Sequence, residues 1–151
     1  PVIRGLEIHV DALLDEGLRR AELERTTEAP GAWLENAEDV VISPSRGLRT
    51  AQDKEENLLI AQRVSDALTA VLQCITTRPR YLIGKGGITA SDVATRGLRV
   101  KRALVLGQIL PGVPVWRLGP ESRFPGISYV VFPGNVGDGK ALAEVIKRLK
   151  T

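Results

Sequence analysis

The sequence is poor in the residues that build disulfides, zinc sites and aromatic binding platforms. Its 151 residues include one cysteine, Cys74, one histidine, His9, and no methionine, and only 4% are aromatic. A single cysteine cannot form an internal disulfide, and with one histidine it cannot complete a Cys/His zinc site. We therefore interpret both residues as structural and expect no protein-built metal site. No apolar run approaches the roughly 20 residues of a membrane-spanning helix, so we expect no membrane partner and a cytoplasmic location.

What the sequence does contain is typical of one globular domain. Apolar residues make up 43% of the chain and charged residues 26%. A domain of this size buries enough apolar surface to fold without a disulfide or a metal ion. The sequence opens with Pro1 and shows no signal-peptide pattern. We therefore expect it to begin within a longer protein.

Charge is distributed unevenly along the chain. Residues 1–66 hold 8 Lys/Arg and 14 Asp/Glu, a net charge of −6, whereas residues 67–151 hold 13 and 4, a net charge of +9. The acidic half is typical of solvated helix surfaces. The basic half could attract a phosphate, a nucleotide or a nucleic acid, or could have no ligand at all. Arg46, Arg117 and Arg123 are weak candidates for phosphate contacts.

Strand-like and helix-like segments alternate along the chain. Short apolar runs predict strands at residues 2–10, 39–43, 79–83, 102–109, 113–118 and 129–132. Helical spacing predicts helices at residues 11–27, 54–77, 91–96 and 139–149. Pro30 and Gly31 should break the first helix, and Asp53 with Glu56 forms a capping box before the second. This alternation predicts an α/β fold with a mainly parallel sheet and helices on both faces.

The most informative feature is a glycine-rich turn between a strand and a helix, which occurs twice. The two segments read YLIGKGGITASDV and YVVFPGNVGDGKAL. Glycines permit positive φ angles and let a ligand approach the backbone. A helix that follows such a turn offers unpaired N–H groups to a phosphate. The alternative is a pair of tight connections that bind nothing.

Neither loop has one of the two familiar nucleotide fingerprints. In a Walker loop a lysine follows the last glycine and Ser or Thr comes next, whereas Lys85 precedes Gly86 and Gly87. The second loop has a Gly-Lys pair, but Ala141 follows it. A dinucleotide loop would need a third glycine where Thr89 stands. The sequence therefore supports neither a P-loop enzyme nor a Rossmann dehydrogenase.

Polar residues near the loops have both functional and ordinary interpretations. Lys85 could neutralise phosphate charge or be a solvated loop lysine. Thr89 and Ser91 could donate hydroxyl groups to a ligand or cap the helix. Asp92 and Asp138 could bind magnesium through water, although capping of helix starts is the better interpretation.

Three segments follow one another along the chain: YLIGKGGITASDVA, GQILPGVP and FPGNVGD. This ordered set is more specific than either glycine loop alone. Together the segments resemble the C-terminal, nucleotide-binding domain of the four-carbon acid sugar kinase family, and the resemblance covers nearly the whole chain. Some members of that family are labelled Hrp-dependent type III effector proteins, but no feature of this sequence supports an effector role.

The resemblance implies a Rossmann-like domain that binds ATP and Mg²⁺ for transfer of the γ-phosphate to a small sugar acid such as threonate or erythronate. Residues 1–151 would be the nucleotide-binding domain, and the sugar acid would bind mainly to an N-terminal domain absent from this sequence. Self-association remains open. Matched by motif, the nucleotide contacts fall on Gly86, Gly87, Ile88, Thr89, Gly134, Asn135 and Gly137, with Lys85 beside them.

Two departures from the family pattern affect these expectations. Ile88 stands where the family usually has an acidic residue, so a polar side-chain contact is lost there. The family's first nucleotide motif, a Gly-Ser turn, should lie upstream of Pro1. The 151 residues also offer no convincing catalytic base, which we expect on the missing domain. Alone, this chain should bind ATP weakly and lack kinase activity.

Two other functions compete with the kinase interpretation. The first is a regulatory module that binds a nucleotide or phosphate without chemistry, which Ile88 and the missing base favour slightly. The second is nucleic-acid binding by the basic half. The aromatic residues there fall in predicted strands and are typical of a core rather than of a stacking platform, so we expect no nucleic-acid partner.

Overall fold

The computed structural model describes residues 2–45 and 54–150. The chain is a mixed α/β protein that divides into two compact units, Pro1–Thr77 (unit 1) and Arg78–Thr151 (unit 2).

Unit 1 combines three helices with two parallel strands. Ile3 pairs with Asp39 at one end of this sheet and Ile8 pairs with Pro44 at the other. Ile8 and Leu13 pack against Ala67 and Val71, so the core of unit 1 joins the sheet to its longest helix. The elements are β1 (Ile3–Ile8), α1 (Val10–Leu14), α2 (Arg19–Glu35), β2 (Asp39–Pro44) and α3 (Lys54–Cys74).

The first predicted helix begins within one residue of its predicted start, but it is interrupted and ends beyond Thr27. It is two helices, because the Asp15 carboxylate accepts hydrogen bonds from the N–H groups of Gly17 (2.8 Å) and Leu18 (3.0 Å) and forms a turn between them. Helix α2 then continues through Pro30, which was expected to end it. The Pro30 ring is fully buried, and this burial offsets the lost backbone hydrogen bond. The capping residue Asp53 lies outside the described residues.

Unit 2 is a four-stranded sheet with helices against both faces. The strand order is β3-β6-β5-β4. Tyr129 contacts α4 on one face of the sheet, and its neighbours Val130 and Phe132 pack with α5 residues in the core of the unit. The elements are β3 (Tyr81–Lys85), α4 (Gly87–Asp92), a π-helix (Val93–Gly97), β4 (Ala103–Leu110), β5 (Val113–Leu118), β6 (Ser128–Phe132) and α5 (Ala141–Lys150).

The sheet of unit 2 is mixed, which corrects the prediction of a mainly parallel sheet. Only β3 and β6 pair in parallel, whereas β5 pairs antiparallel with both β4 and β6. The two-residue connection Pro111-Gly112 between β4 and β5 is too short for anything but an antiparallel turn, and Gly112 has a φ of +77° there. Residues 119–127, which join β5 to β6, contain no helix that could make a parallel crossover.

Candidate functional site

The fold of unit 2 brings its two glycine loops side by side. We define the first glycine loop as residues 84–89 and the second glycine loop as residues 133–138. Strands β3 and β6 are parallel neighbours, so their carboxyl ends meet with Lys85 opposite Phe132. The Gly86 N–H then donates to the Phe132 carbonyl (2.9 Å). A Cβ placed on Gly134 would lie 3.8 Å from the Gly86 Cα, so the two backbones approach each other without a side chain between them.

The first glycine loop presents bare backbone at its tip. Gly86 has a φ of +100°, which side chains rarely allow, and a Cβ on Gly87 would meet no atom within 4 Å. The first helical hydrogen bond of α4 runs from the Ala90 N–H to the Gly86 carbonyl (2.9 Å). The N–H groups of residues 87–89 therefore precede the hydrogen-bonded ladder of α4 and are available to an acceptor.

The second glycine loop is anchored at one residue and constrained at another. Val136 packs against the core of unit 2. Gly137 has a φ of +80°, and a Cβ there would lie only 2.5 Å from the Ala141 side chain. Gly134 and Asn135 are exposed between β6 and this anchor. The two loops together form a glycine-lined cradle, and a side chain at Gly134 would point across it towards Gly86.

The side chains that the family motif places at the cradle are one cation, one apolar residue and two small polar groups. The Lys85 ammonium lies 4.4 Å from the centre of the Phe132 ring and is exposed. Ile88 is 66% exposed, an unusual position for a large apolar residue. Thr89 is half-buried and Asn135 is exposed. Every residue that the family motif marked for nucleotide contact therefore lies on one of the two loops.

The helix after the first loop differs from the prediction of 91–96. It begins at Gly87, so Thr89 and Ser91 lie inside it and neither is its N-cap. Asp92 is its last residue rather than a residue near its start, and its carboxylate lies 3.9 Å from the Arg96 guanidinium. Asp138 does behave as a cap, because its carboxylate accepts the Lys140 N–H (2.9 Å) just before α5.

The predicted arginine contacts lie elsewhere. Arg117 pairs with Ser128 at the amino end of β6, which is the end of the sheet opposite the glycine loops. Arg123 donates its N–H to the Leu98 carbonyl (2.8 Å) and its guanidinium lies over the Phe124 ring. Arg46 lies outside the described residues. Lys85 is therefore the predicted cation that the fold places at the loops.

Tyr129 contacts the helix that follows the first glycine loop, although its place in a predicted strand indicated only a core residue. Its side chain is fully buried, and its hydroxyl donates a hydrogen bond to the Ala90 carbonyl in α4 (2.6 Å). Burial raises the pKa of the phenol, so the hydroxyl stays a neutral donor. The sequence does give one indication of this contact, because a tyrosine buried in a core strand needs a hydrogen-bond partner for its hydroxyl.

A cluster of polar residues lies at the carboxyl ends of β1 and β2. It consists of Glu22, Arg25, His9 and Ser45, and we call it the Glu22 cluster. The Glu22 carboxylate is 6% exposed, accepts the His9 N–H (2.7 Å) and pairs with the Arg25 guanidinium (2.7 Å). The Ser45 hydroxyl accepts the Val10 N–H (3.0 Å). Hydrogen bonds from Arg25 hold the pKa of Glu22 at about 2. His9, expected on the strand, follows it directly.

The described residues contain no preformed metal centre. Across residues 2–45 and 54–150, no group of three or more His, Cys, Asp or Glu side chains could hold a metal ion. No helix in the same ranges is long and apolar enough to span a membrane. Besides the Asp138 carboxylate, which accepts the Lys140 N–H, the site offers backbone N–H groups, small hydroxyl and amide groups and one ammonium.

Comparison with known proteins gives one family and a set of similar folds. A family model described as a nucleotide-binding C-terminal domain matches residues 1–142. A Bordetella bronchiseptica protein described as domain of unknown function 1537, crystallised with citrate as a domain-swapped dimer, superposes with a TM-score of 0.71 at 17% identity over 98% of this chain. No curated relative matches the chain.

Two further structures share the fold. A Salmonella typhimurium protein labelled a candidate tRNA synthase has a TM-score of 0.69 at 17% identity over 97% of this chain. A Haemophilus influenzae protein of the same unknown-function family has a TM-score of 0.66 at 15% identity over 98%. The chain spans 35% of the length of each of these three proteins. At such identities the likeness shows the fold alone.

Proposed function

Because the chain belongs to the nucleotide-binding C-terminal domain family, we propose that its two glycine loops bind the phosphates of ATP and that it is the ATP-binding domain of a four-carbon sugar-acid kinase. The family match confirms the resemblance to the C-terminal domain of that kinase family. The observation that carries the proposal is the convergence of the two loops, with Gly86 and Gly134 in near contact.

The residues of the cradle suit a phosphate chain. Backbone N–H groups at residues 87–89 can donate to phosphate oxygens, and the absence of side chains at Gly86, Gly87 and Gly134 allows close approach. Lys85 lies beside them and can neutralise negative charge. Helix α4 has only six residues before it becomes a π-helix, so we assign most of the binding to these local donors rather than to a helix dipole.

Bound ATP would supply the phosphoryl group that is transferred to a hydroxyl of the sugar acid. The residues of the cradle would hold and orient the phosphates, and residues 2–45 and 54–150 present no evident base for the acceptor hydroxyl. We therefore assign the base and the sugar-acid site to another part of a longer protein. This assignment agrees with the finding that the chain spans only 35% of the length of its structural relative. Magnesium would be held mainly by the phosphates, since the described side chains form no metal group.

A regulatory module that binds a nucleotide without chemistry is the second candidate function. Ile88 favours it, because an exposed apolar side chain replaces the acidic residue expected in a kinase of the resembled family. The two candidates differ in one assay. Only the kinase would consume ATP in a sugar-acid-dependent reaction when the full-length protein is tested.

Calorimetry of ATP–magnesium binding tests the site directly. We expect a weak but saturable interaction that a Gly87→Asp variant abolishes, because the new carboxylate would occupy the space above the loop and repel phosphate. Gly31→Asp is the matched control, since a Cβ at Gly31 in α2 also meets no atom within 4 Å. Equal affinity in both variants would place the nucleotide elsewhere. No binding by the full-length protein would overturn the proposal.

We also propose that the protein self-associates through β4. Strand β4 is an edge strand and carries no charged residue over Ala103–Leu110. Two of its apolar side chains are largely exposed, Leu104 at 60% and Val105 at 64%. Exposed apolar edge strands tend to pair with another strand, and an uncharged strand can face its own copy without repulsion. The Bordetella bronchiseptica relative is a dimer in its crystal. Light scattering should show a dimer that Val105→Lys converts to a monomer, and a wild-type monomer would refute this interface.

A further inference from the structure

We infer that Tyr129 is a positioning residue for the first glycine loop, which it holds at both ends through Gly84 and Ala90. The inference rests on the proposed function only in naming ATP as the ligand whose binding the loop controls. Tyr129 itself lies on β6, beneath the loop, and need not touch a nucleotide.

The first contact is the hydrogen bond from the Tyr129 hydroxyl to the Ala90 carbonyl, 2.6 Å long and fully buried. This carbonyl is placed where α4 becomes a π-helix. The N–H of Val93 is shared between the carbonyls of Ala90 and Thr89. The Tyr129 hydroxyl gives the Ala90 carbonyl a donor from β6 and so ties α4 to the sheet.

The second contact is steric. A Cβ on Gly84 would overlap the Tyr129 hydroxyl and approach the Ala90 Cα to 3.0 Å. Gly84 is buried, and its φ does not lie in the left-handed region. Its backbone conformation therefore does not require glycine, whereas the space that Tyr129 and Ala90 occupy does. Tyr129 and Gly84 are therefore a matched pair, since the large residue fits only where the small one leaves room.

Both contacts bound the same short segment. Residues 85–89 lie between Gly84 and Ala90 and contain the loop atoms proposed to face phosphate. A loop pinned at both ends loses little conformational entropy when it orders around a ligand. Removal of the Tyr129 hydroxyl leaves the residues of α4 and the loop glycines unchanged. It removes the hydrogen bond to Ala90 that fixes the distance between α4 and the sheet.

A Tyr129→Phe variant tests this role, with Tyr81→Phe as the control that removes the chain's other tyrosine hydroxyl at the opposite end of β3. Urea unfolding, ATP–magnesium calorimetry and amide hydrogen exchange should be measured on both. We expect Tyr129→Phe to weaken ATP binding three- to tenfold and to speed exchange at residues 86–90, while Tyr81→Phe does neither. A purely structural role would lower stability but leave the affinity of the folded protein and the local exchange unchanged, and that result would overturn the inference.

A double-mutant cycle with Gly84→Ala gives a test that needs no ligand. In the wild-type background the new methyl group should be strongly destabilising because of the Tyr129 hydroxyl. In the Tyr129→Phe background part of that clash is gone, so the same substitution should cost measurably less. Additive effects would refute the pairing. If the wild-type protein binds no ATP, the proposed function fails, whereas the exchange data and the cycle still decide the role of Tyr129.

Discussion

The two units differ in how they satisfy the backbone N–H groups at the carboxyl ends of their parallel strands. Each contains a pair of parallel strands whose carboxyl ends open onto a turn and a short helix. In unit 1 the protein supplies its own acceptors there, because Glu22 accepts the His9 N–H and Ser45 accepts the Val10 N–H. In unit 2 the N–H groups of residues 87–89 face a cradle of glycines instead. Backbone donors at these positions need an acceptor, and unit 1 supplies acceptors from its own side chains, whereas we propose that a phosphate supplies them in unit 2.

Under the proposed function, this difference separates residues that stabilise the fold from residues that bind a ligand. Glu22 acts as an internal anion, paired and buried, so the carboxyl ends of β1 and β2 gain stability and lose the capacity for an external anion. The glycine loops give up stability, since glycine loses the most conformational freedom on folding. Substitutions in the two units should therefore have different consequences.

The largest effect is expected in unit 1. Glu22→Gln removes the charge that pairs with Arg25 and weakens the acceptor for His9, so the free energy of unfolding should fall by about 2–3 kcal/mol in urea unfolding. Glu24→Gln is the control, because Glu24 pairs with Arg20 on the exposed side of α2. It should change stability by less than about 0.5 kcal/mol. Equal losses would show that burial of the Glu22 pair contributes nothing.

The same carboxylate predicts a pH dependence. Arg25 lowers the pKa of Glu22 from 4.5 to about 2, so its stabilisation is complete above pH 4.5 and is lost as the pH falls towards 2. The difference in unfolding free energy between wild type and Glu22→Gln should therefore be constant near neutrality and shrink between pH 4.5 and 2. Urea unfolding at a series of pH values measures it. A difference that does not vary with pH would contradict the assignment.

A smaller effect is expected at the second glycine loop. Gly137→Ala forces a φ of +80° on a side chain that also meets Ala141, which should cost about 1–3 kcal/mol. Gly139→Ala meets no atom within 4 Å and has no positive φ, so it should be neutral or slightly stabilising. Thermal or urea unfolding of the two variants compares them. Similar values would mean that the loop adapts to a Cβ.

The smallest stability effect is expected at Lys85. Lys85→Met removes only an exposed cation–π contact, worth under about 1 kcal/mol, but it should weaken ATP binding about fivefold. Lys101→Met, in the exposed segment before β4, is the control for a lost positive charge. Calorimetry at two salt concentrations should show a smaller salt dependence for Lys85→Met than for Lys101→Met. Loss of stability without loss of affinity would assign Lys85 to the fold alone.

Much of unit 2 could be predicted from the sequence, because its elements carry local signals. Strands β3 and β6 are short apolar runs that end in glycine-rich turns, and the α5 pattern repeats at helical spacing. The alternation of strands and helices along the sequence could not predict which neighbouring strands are parallel and which are antiparallel. They depend on the two-residue turn at Gly112 and on a helix-free connection after β5.

Unit 1 shows where sequence patterns mislead. Pro30 is a strong helix-breaking signal, yet tertiary burial overrides it. The Glu22 cluster depends on residues up to 36 positions apart, His9 and Ser45 among them, and no local pattern marks it. The glycine motifs identified the two loops that the fold brings together, whereas the contact of Tyr129 with α4 required knowledge of which strands are neighbours.

The pairing of β3 with β6 also has a consequence for how the chain folds. Tyr81 and Ser128 are 47 positions apart, whereas β4 and β5 meet through a two-residue turn. The hairpin can therefore form early, and the parallel pair should close late, since it must first bring distant segments together. The cradle comes into existence with that late step. A nucleotide would then recognise only chains that have finished folding and would slow their unfolding, so that the ligand reports on the completion of the domain.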